Sequence, residues 1–456
     1  MQTVLLIATL ILGERGTLAC MDVVDQLIKM YDDSVTRAHA AVKTGDREAY
    51  ADVRYPRLTV TVDEWRPIDR TEPFGYVESA GVYSSAFSRP ALIEGYLREM
   101  VARLTKNYVC DVRADYSDMV IPPAYIDGLE GAELTGFPAP TLDDVDDGII
   151  DGKWEAFHGE VSPLFHFTPQ RFDIACKRIE HYTGIPCDGV QKFILFTNYA
   201  MHTKEFERWA REELTRPGTR YTGLNTPTGT HQFPRYDLVT EAGDGITMIN
   251  IGVGPSNAKT ITDSLAVLRP EVWVMIGHCA GLDGRMRIGD LILGNAYQRR
   301  DFILDDRISS DIPIPAVPEV QRALEKAVGD VYGEEKSQLM RTGTVLSTGD
   351  RNWEWHTPHT MWETLRGSTA VAVDMESCAL AANGYRYRVP YGTLLSVSDL
   401  PLHAVPKLPA GAQAFYSSSK EAHVMCAVRA MEALAANVEK LRTRKLRKTI
   451  GEVPFR

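Results

Sequence analysis

The spacing of apolar positions gives the first part of the chain a mixed pattern of helices and strands. An amphipathic helix is predicted over residues 23–40, followed by alternating strands over 58–62 and 76–87 and by a second helix over 92–104. Helices and strands mixed in this way, without regular alternation, are typical of an α+β domain. We therefore predict a smaller α+β domain over residues 21–184.

From residue 193 onward the pattern changes to short apolar strands that alternate with helical segments. The predicted strands lie over residues 193–197, 246–251, 272–277, 290–294, 342–347, 370–373 and 391–397. Regular alternation of this kind predicts a three-layer αβα domain, which we assign to residues 185–450. Residues 217–234 are rich in Gly, Thr, Pro and Asn, and we predict that they form a mobile loop able to cover a site.

The apolar run over residues 4–12 raises the question of a targeting segment. No Lys or Arg precedes this run, and it is too short to span a bilayer, so a signal sequence is disfavoured. A mis-assigned start, with Met21 as the first native residue, explains the run at least as well. We therefore leave residues 1–20 out of the predicted domains.

The composition argues against two classes of partner. The chain has 456 residues and a formal net charge of -11, which is spread along the sequence and gives no long-range attraction to nucleic acid or to anionic membranes. Its seven cysteines are widely scattered, and no close pair has metal-ligand spacing. Reduced thiols in a cytoplasmic protein fit this usage best.

Two predicted strands near the end of the chain each stop at a carboxylate. One strand is followed by Asp374 and Glu376, and the other by Asp399. Because the carboxyl ends of parallel strands share one edge of a sheet, where open α/β folds build their sites, we expect both strands to deliver an acid to one pocket. The alternative for each acid is a helix N-cap or a salt bridge.

The residue types around these acids indicate the chemistry that they can serve. Met375 beside Glu376 suits a sugar, because the carboxylate can accept hydrogen bonds from two vicinal hydroxyls while the thioether packs on the ring. Asp399, at the end of an apolar strand, can serve as a proton donor.

Two earlier segments add further candidate residues. Gly252 and Gly254 break a strand and open a helix, so that backbone and helix N–H groups can approach a ligand; the alternative is a tight strand-to-helix turn. The segment lacks the glycines of a dinucleotide fingerprint or of a P-loop. His278 is predicted in a small-residue turn after a buried strand, where an imidazole is either functional or simply hydrogen-bonded structure.

The order of these motifs resembles that of the nucleoside phosphorylase and nucleosidase superfamily. The motifs are Gly252-Val253-Gly254, Gly277-His278-Cys279, Val373 to Ser377 and Ser396 to Asp399. The AMP nucleosidase family is similar more fully, in its additional first domain and over residues 250–269, 341–353 and 389–403. This resemblance covers nearly all of the chain after Met21. It implies a phosphorylase/hydrolase-like domain with a mixed central sheet, and hydrolysis of AMP to adenine and ribose 5-phosphate.

The resemblance also implies the tasks of individual residues. Asp399 would protonate the purine at N7, and Glu376 with Met375 would bind the ribose. Trp353 and Asn352 lie where relatives hold the purine, so stacking or polar contact is expected, with ordinary core packing of the tryptophan as the alternative. The predicted set comprises Asp399 and Glu376 as catalytic residues, Met375, Gly254, His278, Trp353, Asn352 and Asn198 as substrate-binding residues, and no metal ligand.

One departure from the phosphorylases favours hydrolysis. Where their hexameric members place an arginine and a serine around phosphate, this chain has Met275 and His278, so water is the expected nucleophile. The base that activates water is left open between His278 and the loop from Asn198 to Glu205. Two other interpretations stay open: a purine nucleoside phosphorylase, and a non-catalytic purine nucleotide sensor, against which the retention of Glu376 and Asp399 argues.

The phosphate group of AMP needs cationic side chains or helix N-terminal amides. The candidates in this chain are Lys259, Arg299, Arg300 and Lys407, and a neighbouring subunit is a further source. The resemblance implies a homo-oligomer, specifically a hexamer, with Mg-ATP as an allosteric effector and no required cofactor. AMP and water are then the small-molecule partners, and neither nucleic acid nor membrane is expected to bind.

Overall fold

The chain folds into two compact units. The computed structural model describes residues 2–153, 161–403, 409–442 and 452–456. One unit comprises Met1–Lys177 with Arg447–Arg456, and the other comprises Arg178–Leu446. The division falls inside helix α4 (Pro169–Thr183), whereas the sequence analysis placed it after Gly184.

The first unit is built on a four-stranded sheet. Its elements are α1 (Gln2–Thr44), α2 (Arg47–Tyr50), β1 (Arg54–Val62), β2 (Gly81–Ala86), α3 (Glu94–Asn107), β3 (Cys110–Val120), β4 (Val161–Pro163) and the start of α4. The strands lie in the order β3-β1-β2-β4, and only β2 and β4 pair in parallel. Helix α1 packs on α3 and on the sheet, and buried Tyr50, Tyr55 and Ile121 belong to the core. The predicted α+β class of this unit is confirmed.

The second unit contains a ten-stranded sheet. Its strands are β5 (Phe193–Thr197), β6 (Tyr221–Asn225), β7 (Arg235–Thr240), β8 (Ile246–Asn250), β9 (Val272–Gly281), β10 (Leu291–Arg300), β11 (Ile314–Pro315), β12 (Arg341–Thr348), β13 (Ala370–Asp374) and β14 (Tyr391–Asp399). Its helices are α5 (Ala200–Leu214), α6 (Pro255–Leu265), α7 (Pro318–Tyr332), α8 (Glu334–Leu339), α9 (Pro358–Leu365), α10 (Ser377–Tyr387), α11 (Pro409–Ala435) and α12 (Val438–Leu441).

Five strands of this sheet close into a ring. In the order β10, β12, β13, β9 and β14 each strand pairs with the next, and β14 pairs in turn with β10. From β9 the sheet continues through β5, β8, β7 and β6, and β11 pairs with β10. Parallel and antiparallel pairs both occur, which confirms the predicted mixed sheet. The closure brings the carboxyl ends of β13 and β14 to the last residues of β9.

Helices in two groups cover the sheet. Helices α5 and α7 pack on α11, whereas α6 packs on α10. Every residue of β5, β9 and β14 is buried, as expected for strands that are covered on both faces. The predicted three-layer αβα arrangement is therefore confirmed.

Two local predictions were wrong. β9 does not end at Gly277 but runs to Gly281, so His278 lies within a strand and not in a turn. The extra length is stabilised by pairing on both sides, with β14 up to Ala280 and with β13 at Ala280 and Gly281. The segment 217–234 is not all loop, because β6 (Tyr221–Asn225) pairs with β7 at the sheet edge.

Two further features concern the environment of the chain. Among the described residues, none of the helices combines the length and apolarity needed to cross a bilayer. Each cysteine with a described side chain is a free thiol, namely Cys110, Cys176, Cys187, Cys279, Cys378 and Cys426.

Candidate active site

A cavity of about 410 Å³ opens where β9, β13 and β14 converge. It is lined by Asn198, Tyr199, Val253, His278 to Ala280, Arg351 to Trp355, Val373 to Glu376, Ser398 and Asp399. Seven of the eight predicted site residues are in this set, and the eighth, Gly254, follows Val253. The ring of strands thus brings together residues that are up to 200 positions apart.

Glu376 is the most tightly held acid of the cavity. Its side chain is buried, accepts a hydrogen bond from the backbone N–H of Gly254 at Oε1 (2.6 Å), and accepts one from Asn198 Nδ2 at Oε2 (3.3 Å). Burial, together with the negative charge of Asp374, raises the pKa of Glu376 to about 8. The carboxyl group therefore exchanges its proton close to neutral pH, which departs from the sequence interpretation that it stays ionised.

The turn between β8 and α6 presents the amide that binds Glu376. Gly252 and Gly254 have φ angles of 65° and 120°, a left-handed region that residues with a Cβ rarely adopt. Gly254 is the N-cap of α6, and Pro255 occupies its first turn. Of the two interpretations of the turn, close backbone approach is correct, although the partner seen in the structure is a protein carboxyl group.

Asp374, two residues before Glu376, is bound within the protein. It accepts hydrogen bonds from Ser347 Oγ (2.5 Å) and from the backbone N–H of Ser377 (3.0 Å). Ser347 lies on β12 and Ser377 begins α10, so the carboxyl group joins three elements below the cavity floor. Burial raises the pKa of Asp374 as well. The sequence analysis did not find this serine pair, although both serines sit beside strand ends.

Asp399 is the last residue of β14 and is 5% exposed. The hydroxyl of Ser398 donates to its Oδ1 over 2.6 Å and also lies 3.3 Å from the carbonyl oxygen of Cys279 on β9. The serine therefore fixes the orientation of this carboxyl group relative to β9. Asp399 and Glu376 line the same cavity from two different strands of the ring.

A polar side chain and two rings form a second wall. The Oδ1 atom of Asn198 is buried, with no hydrogen-bond partner among the described residues. The ring of Tyr199 meets that of His278 edge-on, with centroids 4.5 Å apart. His202, from the loop proposed to hold a base, is fully buried and does not line the cavity. This wall offers an acceptor at Asn198 and an imidazole at His278.

Trp353 serves both interpretations that the sequence left open. It lines the cavity beside Asn352, and it packs against a buried cluster of Ala280, Leu346 and Val373. It also lines a neighbouring cavity of about 200 Å³. The tryptophan is thus anchored by core packing while one part of its ring faces the cavity.

The predicted phosphate ligands do not line the cavity. Lys259 is paired with Asp263 (2.5 Å), and Arg299 is directed to Asp305 (3.6 Å). Arg300 lines the neighbouring cavity, and Lys407 lies outside the described residues. Arg351 is instead the cation of the lining, in the segment after β12 where the sequence analysis singled out only its neighbours.

Comparisons with known proteins agree with this fold. Residues 22–161 match the family model described as the N-terminus of bacterial AMP nucleoside phosphorylase, and residues 204–439 match that of the phosphorylase superfamily. The second match spans more than half of the chain. These matches define a class: a phosphorylase-superfamily unit preceded by an N-terminal unit of bacterial type.

Relatives narrow this class. The chain is 43% identical over 437 residues to the AMP nucleosidase of Escherichia coli strain K12, covering 88% of this chain and 89% of that protein. A 5'-methylthioadenosine/S-adenosylhomocysteine nucleosidase of Marinomonas is 23% identical over 163 residues, which are 35% of this chain and 69% of that protein. A solved AMP nucleosidase from Bacteroides thetaiotaomicron is 26% identical, with a TM-score of 0.46 over 59% of this chain and 99% of that one. The chain belongs to the AMP nucleosidase family.

Proposed function

We propose that this chain hydrolyses the N-glycosidic bond of AMP and releases adenine and ribose 5-phosphate. The observation that carries the proposal is the position of Glu376 and Asp399, two buried acids on different strands that line one cavity. Breaking a C–N glycosidic bond requires a proton for the departing base and a stabilising charge for the sugar cation. Two carboxyl groups in unlike surroundings can divide these tasks.

Glu376 acts on the sugar. The Gly254 amide and the Asn198 side chain hold its two oxygens, and the remaining lone pairs accept hydrogen bonds from vicinal ribose hydroxyls. Those hydroxyls favour the ionised form, because they donate to it, and so lower the pKa from its value near 8. The ionised carboxylate then stabilises positive charge on the ribose as the bond breaks, with Met375 packed against the ring.

Asp399 acts on the base. Ser398 fixes its orientation, and its proton passes to N7 of the purine as the bond to C1′ breaks. Trp353 and Asn352 line the same cavity and hold the purine by stacking and polar contact. Leaving as a neutral base, adenine carries away the electron pair of the glycosidic bond.

Water is the nucleophile in this proposal. The buried Oδ1 of Asn198 accepts a hydrogen bond from it, and the His278 ring lies on the same wall. Oxygen attack at C1′ followed by loss of a proton completes ribose 5-phosphate. At the cavity lining, the guanidinium of Arg351 binds the 5′-phosphate of AMP.

The proposal extends to assembly and control. We expect a cytoplasmic homo-oligomer, as a hexamer, in which the first unit takes part in assembly and in allosteric regulation by Mg-ATP. The chemistry described above requires no cofactor.

Adenine release from AMP tests the proposal. The wild-type chain is expected to form ribose 5-phosphate without added orthophosphate, and Asp399→Asn to lower kcat/KM by about 100-fold or more. Asp111→Asn, an exposed acid of the first unit, is the matched control.

Three outcomes would contradict parts of this proposal. Strict dependence on orthophosphate would identify a phosphorylase. Full activity of Asp399→Asn would remove the proton donor. No adenine release by the wild type would favour a nucleotide sensor.

A further inference from the structure

Three buried histidines from separate elements meet beside the cavity. His202 lies on α5, His278 on β9 and His423 on α11, and none is more than 6% exposed. One ring nitrogen of each lies within 4.8 Å of the others. The ring centroids of His202 and His278 are 5.5 Å apart, and those of His202 and His423 are 5.2 Å apart. Such convergence of imidazoles is unusual in a core made otherwise of apolar side chains.

Hydrogen bonds determine which nitrogen each buried ring leaves to the cluster. His423 Nε2 lies 2.9 Å from the carbonyl oxygen of Leu394, which can only accept, so Nε2 carries the proton and Nδ1 keeps a lone pair. His202 Nδ1 is 2.8 Å from Thr197 Oγ1, which also accepts the N–H of Tyr199. In the described part of the chain, His423 Nδ1 and His202 Nε2 have no hydrogen-bond partner.

Both of these rings are in the form that binds metal ions. Burial lowers the pKa of His202 well below its usual value and that of His423 to about 4, so both are neutral at physiological pH. A buried nitrogen without a partner costs free energy, which a bound cation would recover. Metal-bound histidines typically donate their second N–H to a backbone carbonyl, as His423 does to Leu394.

We propose that His202, His278 and His423 form a binding site for one transition-metal ion of the Zn²⁺ class. Three neutral imidazoles suit Zn²⁺, Co²⁺, Ni²⁺ or Cu²⁺ and do not suit Mg²⁺ or Ca²⁺, which prefer oxygen ligands. Nitrogens around a tetrahedral zinc ion lie about 3.4 Å apart, so binding draws the rings inward. Three protein ligands leave a fourth position, and His278 already lines the cavity.

The proposal is independent of the proposed function, because binding and not turnover defines it. It also revises the prediction that the chain has no metal ligand. The three histidines are separated by 76 and 145 positions in the sequence and follow no metal-binding spacing. Only the ring closure of the sheet and the packing of α5 on α11 bring them together.

Competition for Zn²⁺ tests the site. The full-length chain, without a histidine tag and stripped with a chelator, is titrated with Zn²⁺ against a chromophoric chelator. We expect one ion per chain, and binding weaker by about 100-fold or more in His423→Gln. The glutamine amide can still donate to Leu394, which preserves that contact. His359→Gln, an exposed histidine of α9, is the matched control and should bind like the wild type.

Two further measurements keep the result decisive. His202→Gln should lose binding in the same way, with circular dichroism showing that each variant is folded. Co²⁺ bound to the wild type should give the visible ligand-field bands of nitrogen coordination, and excess Mg²⁺ should not displace it. Failure of the wild type to bind Zn²⁺ more tightly than both glutamine variants would overturn the proposal. So would a Co²⁺ spectrum identical to that of the hydrated ion.

Discussion

At the scale of single residues, Glu376 links the candidate site to the stability of the fold. Its ordinary pKa of 4.5 is raised to about 8 in the folded chain by burial and by Asp374. Between these values the folded chain keeps a proton that the unfolded chain has released. The stability from this group is therefore complete below pH 4.5, declines across the interval, and is lost once the pH has risen through 8.

Replacing Glu376 with glutamine should flatten this dependence. Each additional proton held by the folded chain changes the free energy of unfolding by about 1.4 kcal/mol per pH unit, and Glu376→Gln removes that contribution. Urea unfolding followed by circular dichroism between about pH 5 and 8 measures the slope. Glu363→Gln, an exposed acid of α9, should keep the wild-type slope. Equal slopes in all three proteins would mean that Glu376 is ionised throughout.

At the scale of elements, the turn from β8 into α6 decides how Glu376 is held. Gly254 has φ 120° and ψ 150°, a combination essentially restricted to glycine, and a Cβ there would meet no atom within 4 Å. Gly254→Ala therefore adds backbone strain of about 1–3 kcal/mol without a steric clash. Relief of that strain rotates the N–H away from Glu376, and we expect a rise in KM for AMP of about 10-fold, the equivalent of about 1.4 kcal/mol.

Gly333 provides a matched control for this substitution. It caps α8 with φ 85° and ψ 166°, and a Cβ there would also meet no atom within 4 Å. Gly333→Ala should lower the unfolding midpoint as Gly254→Ala does and leave the KM for AMP unchanged. Steady-state kinetics of both variants separate the two effects. A similar rise in KM in both would show that strain alone, and not the contact with Glu376, is responsible.

Elements were predictable from the sequence where local pattern decides them. The buried strand ending at Asp399 and the glycine turn at Gly252 have strong local signals, and both are present in the structure. The extension of β9 past Gly277 depends on β13 and β14, which lie far along the chain. The serines that bind Asp374 likewise become visible only after β12 and α10 are placed beside it. Long-range pairing is what a local pattern does not contain.

At the scale of the whole molecule, the chain returns at its end to the first unit. Phe455 is 1% exposed and meets the ring of Tyr96 edge-on, with centroids 6.2 Å apart. Its N–H donates to the carbonyl oxygen of Leu164 over 3.2 Å, and the Tyr96 hydroxyl donates to that of Arg456 over 2.9 Å. The sequence analysis ended its second domain at residue 450 and did not assign this segment. A six-residue tail has too few apolar positions to reveal where it packs.

Removing the Phe455 ring should destabilise the first unit selectively. Phe455→Ala leaves a cavity against Tyr96, and burial of this kind is worth about 3–5 kcal/mol. Hydrogen exchange followed by mass spectrometry should show faster exchange in α3 and in β1 to β3, while β9 and β14 in the second unit exchange as in the wild type. Val109→Ala, at a position 68% exposed in the first unit, should change neither. Faster exchange in both units would instead mean that they unfold as one cooperative body, because the loss of a single contact in the first would then lower the stability of the second.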